Sequence, residues 1–418
     1  MNIRLVNIKH LGGIQPPATQ ALRGKALGEF PTMSNAFLTI KDGKIADFGP
    51  MKDCPHDEMT LKDCRGKSVL PAFVDSHSHV VYAGTREQEF NLRLNGASYE
   101  EIAEAGGGIL NSAQKVAKAT SEELFIQAQA RLNKLITYGT GTLEVKSGYG
   151  LDPEGELKLL RAVKALNATS HATLVPTFLA AHALPQWAKD QAMDGAQYTR
   201  YMLDTLMPVV SKEKLALFID GFIERDYFKI DALEAILEAS ATYGLPAKIH
   251  VNQFYDIGAI PRAVDAGVLS VDHLEVMSES AFKALEGSNT IATLLPTCSY
   301  FLGIPYAPAR RLIDSNTIVA LATDYNPGSS PTGNMQLVCN MACAKMKMTP
   351  AEALNAATIN GAAALQLSDR KGSITIGKDA DLLITREIPS IEFICYDFGT
   401  NHIAVSYTHL TLPTNLRV

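Results

Sequence analysis

Residues 68–80 read SVLPAFVDSHSHV. An apolar, β-branched run ends at Asp75 and is followed at once by His77-Ser78-His79. Such a run reads as a strand buried on both faces. Side chains two apart on an extended backbone point the same way. Two imidazoles therefore leave this strand end on one side. Seven further runs of the same kind follow: TGTLEV from Thr140, TLVPTFLA from Thr173, LALFIDGFI from Leu215, PAKIHV from Pro246, VLSVDHL from Val268, TIATLLPT from Thr290 and TIVALATD from Thr317.

Helical patterns lie between most of these runs. One opens at Thr120 with Glu123 three residues on, a capping-box signature. Its apolar residues Leu124, Ala128, Leu132, Leu135 and Ile136 keep helical spacing, and Gly139 stands where the helix should stop. Another, IDALEAILEASATY, runs into Gly244. Strands alternating with helices imply parallel pairing through right-handed crossovers. Eight such units predict an α/β fold, a closed (β/α)8 TIM barrel over 68–366, with a doubly wound open sheet as the alternative. Residues 1–67 and 367–404 are strand-rich with glycine turns, among them Asp42-Gly43 between two apolar runs, a hairpin signal. The two ends are expected to join into one small β domain beside the barrel.

Composition narrows the function. Lys+Arg 38 against Asp+Glu 44 leaves a net charge of −6 with no basic run, so nucleic acid and acidic membrane surfaces are poor partners. Hydrophobic residues make up 46% of the chain, enough for a large core. The six cysteines form no CxxC pair, which fits reduced thiols rather than a disulfide framework. The N-terminus carries no signal-peptide pattern, and no apolar run reaches the ~18 residues of a membrane span. A soluble cytoplasmic protein is the expectation.

The chemistry concentrates at strand ends. His77 and His79 follow the first run, His182 the third, His250 the fifth and His273 the sixth, and Asp324 ends the eighth. In a barrel these ends open on one face, where active sites lie. Alone, an HxH pair reads equally as packing chemistry, His250 as a satisfied core histidine and Asp324 as a helix cap. Their coincidence at strand ends overrides those readings. Imidazoles with one carboxylate suit Zn²⁺ or a similar transition metal. Arg86, shortly after the pair, could clamp a substrate carboxylate, or be a solvated arginine beside Glu87 and Glu89. Tyr149 lies in a glycine-flanked loop. Gly106-Gly107-Gly108 and the stretch NPGSSPTGN offer backbone N–H groups to a ligand.

The segments PAFVDSHSHVVYAGTREQEF, EAGGGIL, GTLEVKSGYG, PTFLAAHALP, KIHVNQF, SVDHLEVM and LATDYNPGSSPTGNMQL follow one another in this order. Together they resemble the amidohydrolase superfamily, and within it the branch that opens an imidazolone ring in histidine degradation. The likeness covers nearly the whole chain, to about Ala404. The HxH is generic to the superfamily; KSGYG, AAHA and TDYNPGSSPT are more specific. The resemblance implies a metal-dependent hydrolase that converts 4-imidazolone-5-propanoate to N-formimino-L-glutamate. It implies one Zn²⁺ or Fe³⁺ held by His77, His79, His250 and Asp324. Arg86, Tyr149, His182, Gln253, Asn326, Gly328 and Ser329 would contact substrate or product, and His273 would sit beside the attacking water. Catalysis would fall to His273 and Asp324, and a homodimer is consistent with the likeness. The alternatives are a deaminase of heterocyclic bases, which shares the ligand set, and an inactive barrel acting as a binding scaffold.

Two features depart from the family pattern. Some members carry Glu where this chain has Gln253, and an amide cannot act as a base near neutral pH. The tail VSYTHLTLPTNLRV, from Val405, fits no family strand and reads as appended sequence expected to pack poorly; His402 and His409 get no functional weight.

Overall fold

The computed structural model describes residues 2–97, 101–102 and 106–407. Two sheets organise it. Chain order runs β1 (Ile3–Gly12), β2 (Thr32–Lys41), β3 (Lys44–Pro50), β4 (Thr60–Asp63), β5 (Lys67–Pro71), β6 (Phe73–Asp75), β7 (Thr140–Lys146) and β8 (Thr173–Ala181). It continues with β9 (Phe218–Ile223), β10 (Ala247–Val251), β11 (Ser270–His273), β12 (Ile291–Leu294), β13 (Ile318–Leu321), β14 (Leu382–Glu387) and β15 (Ile403–Tyr407).

Strands β6 to β13 form an eight-stranded sheet in sequential order, each parallel to the next. The expected runs are all there. The sheet closes on itself just past the strand ends: Asp324 N donates to His77 O at 3.0 Å and His79 N to Tyr325 O at 2.9 Å. Below that seam the Asp75 carboxylate accepts from Thr323 N at 3.0 Å and from Thr323 Oγ1 at 2.6 Å. Helices wrap the outside, so the strands are buried almost throughout. Thr120 and Glu123 form the expected capping box of the helix Ser121–Thr137, and Gly139 follows its end at φ +100°. Gly244 caps the helix Ile230–Tyr243 in the left-handed region.

The first run behaves differently from its reading as one barrel strand. It is cut in two: Lys67–Pro71 pairs with β1 and β14 in the small sheet, and only Phe73–Asp75 enters the barrel. Pro71 carries no N–H for a ladder, and Ala72 N turns to Asp381 O at 2.9 Å. The chain thus passes from one sheet to the other in a single residue.

The second sheet is seven-stranded, in the order β15-β14-β5-β1-β2-β3 with β4 beside β1. It draws on both ends of the chain. Asp42 (φ 50°) and Gly43 (φ 78°) make the hairpin between β2 and β3, where two successive positive φ values suit a primed turn. Its core packs Leu5, Ile8, Leu38, Ile40, Leu382 and Ile384. Strand β15 runs through Val405, Ser406 and Tyr407, the first residues of the segment set apart above. Val405 pairs with Ile384, and Ser406 Oγ donates to Ile136 O at 2.8 Å. The rest of that segment, including His409, lies outside the described residues. Among the described residues no helix is long and apolar enough to cross a membrane.

Candidate metal centre and substrate pocket

The barrel seam brings three of the singled-out side chains together. His77 Nε2 and His79 Nε2 each lie 3.6 Å from Asp324 Oδ1. His250, from the middle of the sheet, completes the group, with its Nε2 3.4 Å from His79 Nε2. All four residues are buried.

The partners of these rings decide what their free nitrogens can do. His77 Nδ1 lies 2.6 Å from Asp272 Oδ2, and His250 Nδ1 2.8 Å from Asp220 Oδ2. A ring nitrogen facing a carboxylate carries the proton. His77 Nε2 then presents a lone pair and, fully buried, has no hydrogen-bond partner, while His250 Nδ1, though close to Asp220, makes no aligned hydrogen bond to it. Ring nitrogens and a carboxylate oxygen thus converge, an arrangement suited to a cation. The spacing also fits: bonds of ~2.05 Å in tetrahedral geometry put neighbouring ligand atoms roughly 3.4 Å apart. Burial first, then the positive groups nearby, holds all three imidazoles well below their ordinary pKa. The neutral, ligating form is favoured.

The pocket above this cluster is lined by Arg86, Tyr149, His182, Gln253, Asn326 and Ser329, beside His273 and Asp324. All the expected site residues except His77 and Gly328 line this cavity, and those two lie against Asp324 and Arg86, which do. Arg86 is buried, not the solvated arginine that its acidic neighbours suggested. Its guanidinium lies directly on Gly328, where a Cβ would fall 1.1 Å from Nη2. Gly328 is a glycine because nothing larger leaves room for the arginine. The N–H groups of Gly328 and Ser329 both donate to Asn326 Oδ1 at 2.8 Å, so this loop is braced by its own asparagine. Gly107 N and Gly108 N are likewise engaged, by Ile102 O at 2.8 Å and by a Glu89 carboxylate oxygen at 3.1 Å. The His182 ring stacks on His79 at 5.4 Å, with its Nδ1 2.8 Å from Gly148 O. Tyr149 stands 5.2 Å from that ring. Gln253 Nε2 lies 3.3 Å from Cys298 Sγ.

Comparison with known proteins settles the family. The model of the amidohydrolase family matches residues 68–405. The imidazolonepropionase of Christiangramia forsetii is 49% identical over 409 residues, 97% of this chain and 98% of that one. That of Flavobacterium johnsoniae is 49% identical over 398 residues, 95% and 96% of the two chains. This chain belongs to the imidazolonepropionases. Among solved structures, guanine deaminase from E. coli superposes with a TM-score of 0.71 at 17% identity, covering 98% of each chain. An adenosine deaminase from Xanthomonas campestris with bound zinc gives 0.66 at 14%, covering 97% and 91%. These last two show the shared fold.

Imidazolonepropionases are amidohydrolases that act on a cyclic amide C–N bond, and the donor set here fits a metal cofactor. Two groups at this centre, Asp324 and His273, are shifted upward. Burial pushes the Asp324 carboxyl up to about 6, although His273 and hydrogen bonds from Cys298, Asn326 and Ser329 pull the other way. Burial alone would lower His273, but Glu275, Asp324 and Asp272 more than offset it and raise it. Its Nδ1 is 3.5 Å from Glu275 Oε1. His273 (φ 91°) and Asp324 (φ 52°) both sit in the left-handed region, strain worth about 1–3 kcal/mol per residue and typical of working sites.

The sequence reading missed the residues that hold the site in place. Asp272 hydrogen-bonds the His77 ring, and Asp220 stands 2.8 Å from His250 Nδ1. The Glu156 carboxylate accepts from Gly148 N, Gly150 N and Leu151 N at 2.8, 2.7 and 3.0 Å, fixing the loop that carries Tyr149. A signal existed for the two aspartates, since each is a lone charge inside an apolar strand run. For Glu156 there was none, as an acidic residue in a helix's first turn is ordinary.

Proposed function

We propose that the protein hydrolyses the ring amide of 4-imidazolone-5-propanoate to N-formimino-L-glutamate, with one Zn²⁺ or Fe³⁺ held by His77, His79, His250 and Asp324. The convergence of three buried histidine nitrogens, His77 Nε2 among them with no hydrogen-bond partner, on the buried Asp324 carboxylate carries this reading. A metal held there supplies Lewis acidity and lowers the pKa of a water it binds.

The chain's own groups do the rest. Arg86 pairs with the propanoate and holds the ring over the ligands, which turns a bimolecular encounter into an oriented one. Tyr149 and His182 flank the ring. Gln253 offers an amide to the ring edge. Asp324 takes a proton from the attacking water as the new C–O bond forms. His273, kept charged by Glu275, donates to the carbonyl oxygen as negative charge develops on it. The ring C–N bond then breaks, and Asp324 returns the proton to the leaving nitrogen. Water has been added across one bond, and the formimino group stays on the product.

Turnover of the imidazolone by purified protein, with metal content measured on the same sample, tests the proposal. Guanine serves as the control for a base deaminase. Loss of imidazolone with no guanine turnover is expected. Guanine turnover without imidazolone loss would refute it.

A further inference from the structure

Below the ligands the barrel interior holds a closed set of charges. Glu144 and Lys146 on β7, Asp220 on β9, Lys248 on β10 and Asp272 on β11 are all fully buried. Three carboxylates face two ammonium groups. Charges buried this deeply persist only when paired. Lys146 Nζ lies 2.7 Å from Asp220 Oδ2, 3.0 Å from Glu144 Oε1 and 3.8 Å from Asp272 Oδ2. Lys248 Nζ donates to Ser270 Oγ at 2.8 Å and stays 3.7 and 3.8 Å from Asp272 and Glu144.

The two lysines therefore differ. Lys248 stays beyond hydrogen-bond distance of every carboxylate in the set. Lys146 touches the same Asp220 oxygen that faces His250 Nδ1, whereas at 3.8 Å it is no nearer than Lys248 to the Asp272 oxygen that faces His77 Nδ1. One ammonium thus stands directly behind the His250 ring. Asp220 Oδ1 accepts from Gly221 N at 2.7 Å and from His250 N at 3.2 Å, while Lys146 Nζ sits on Oδ2, the oxygen that faces the ring. Removing that ammonium alters the charge and position of the oxygen behind His250.

We propose that Lys146 is a positioning residue of the metal centre, holding Asp220 Oδ2 against His250 so that His250 Nε2 points into the ligand cluster. The inference rests on the metal assignment above. It separates from simple charge neutralisation, because neutralisation can be restored without that contact.

Two variants make that separation. Lys146→Met leaves three carboxylates against one ammonium. Lys146→Met with Glu144→Gln returns the network to its original net charge but leaves Asp220 Oδ2 without its ammonium partner. Apoprotein is prepared by chelation. Zn²⁺ affinity is read by competition with a chromophoric chelator, coordination by the visible spectrum of the Co²⁺ form, and folding by the Tm of the apoprotein. The double variant should regain most of the Tm lost in the single one. Both should bind Zn²⁺ more weakly, by on the order of 10- to 100-fold, with a changed Co²⁺ spectrum. Wild-type Zn²⁺ affinity in the double variant would reduce Lys146 to charge balance and overturn the proposal. Failure of both variants to fold would do the same, since it makes the residue a requirement of the barrel itself. Failure of the metal assignment looks different: the unsubstituted protein would bind no more Zn²⁺ than His77→Ala.

Discussion

Replacing Gly328 by alanine should cripple substrate binding while leaving the metal centre untouched. The added Cβ would fall 1.1 Å from Arg86 Nη2, 1.8 Å from Cζ and 2.2 Å from Nε. The loop cannot yield easily, because the Gly328 and Ser329 N–H groups are both tied to Asn326 Oδ1. The guanidinium must therefore withdraw by roughly 2 Å to restore ordinary contact. That is enough to break a charge-assisted pair with the propanoate, worth about 2–3 kcal/mol. At 1.4 kcal/mol per decade the KM should rise roughly 30- to 150-fold. The kcat should change by only a few-fold, since nothing at the ligands has moved. Steady-state kinetics on the imidazolone, with metal content and Tm of the same preparation, measure this. A cycle with Arg86→Ala sharpens it: Gly328→Ala should cost almost nothing further once the guanidinium is gone. An unchanged KM in Gly328→Ala, or full additivity in the cycle, would show that Arg86 does not hold the substrate.

His77→Ala and His250→Ala should each lose bound metal and nearly all activity while circular dichroism shows the fold intact; full metal stoichiometry in His250→Ala would contradict the ligand set. Asp324→Asn should abolish turnover even where some metal remains, and His273→Ala should lower kcat by roughly 10²- to 10⁴-fold with metal bound. Gln253→Glu should change kcat only modestly, because Asp324 already moves the proton; a near-normal kcat in Asp324→Asn would place the base elsewhere. Away from the site, burial lowers the Lys378 ammonium from 10.5 to about 8. Between those values the folded chain holds fewer protons than the unfolded one, so this lysine weakens the fold fully below pH 8 and progressively less as pH rises toward 10.5. Urea midpoints of wild type and Lys378→Met at pH 7.5 and 10 should therefore show wild type gaining stability relative to the variant as pH rises; a constant difference would count against the shift.

The fold was legible because each barrel strand, buried on both faces, writes itself as an unbroken apolar run, and eight such runs separated by capped helices leave little topological choice. The residues proposed as ligands stand out for the same reason. His77, His79, His250 and Asp324 stand at run ends, and one barrel face collects those ends. What the sequence hid is the direction in which each strand faces. Glu144 and Lys146, like Lys248 and His250, are two apart and point to the same side. A lone chain does not say whether that side is the barrel axis or the helix layer. Asp272 and Asp220 looked like single charges in apolar strands until the barrel brought them under the histidines. The cut at Pro71 was hidden in a similar way, since a run that serves two sheets has the same composition as a run that serves one. Gly328 was read as a donor of backbone N–H groups. Its other role, leaving space for a side chain 242 positions earlier in sequence, is visible only in three dimensions.

The seam of the barrel has a kinetic meaning. His77 and His79 leave the first barrel strand and Asp324 the last, and the neighbouring contact between Asp75 and Thr323 spans 248 residues. Contacts between such distant partners form late, because the intervening chain must be ordered first. The proposed metal site therefore cannot be complete until the last strand has docked, and uptake of an ion there would report that docking. An ion bound a thousandfold above its Kd favours the docked state by about 4 kcal/mol and gives nothing to a chain still open at the seam.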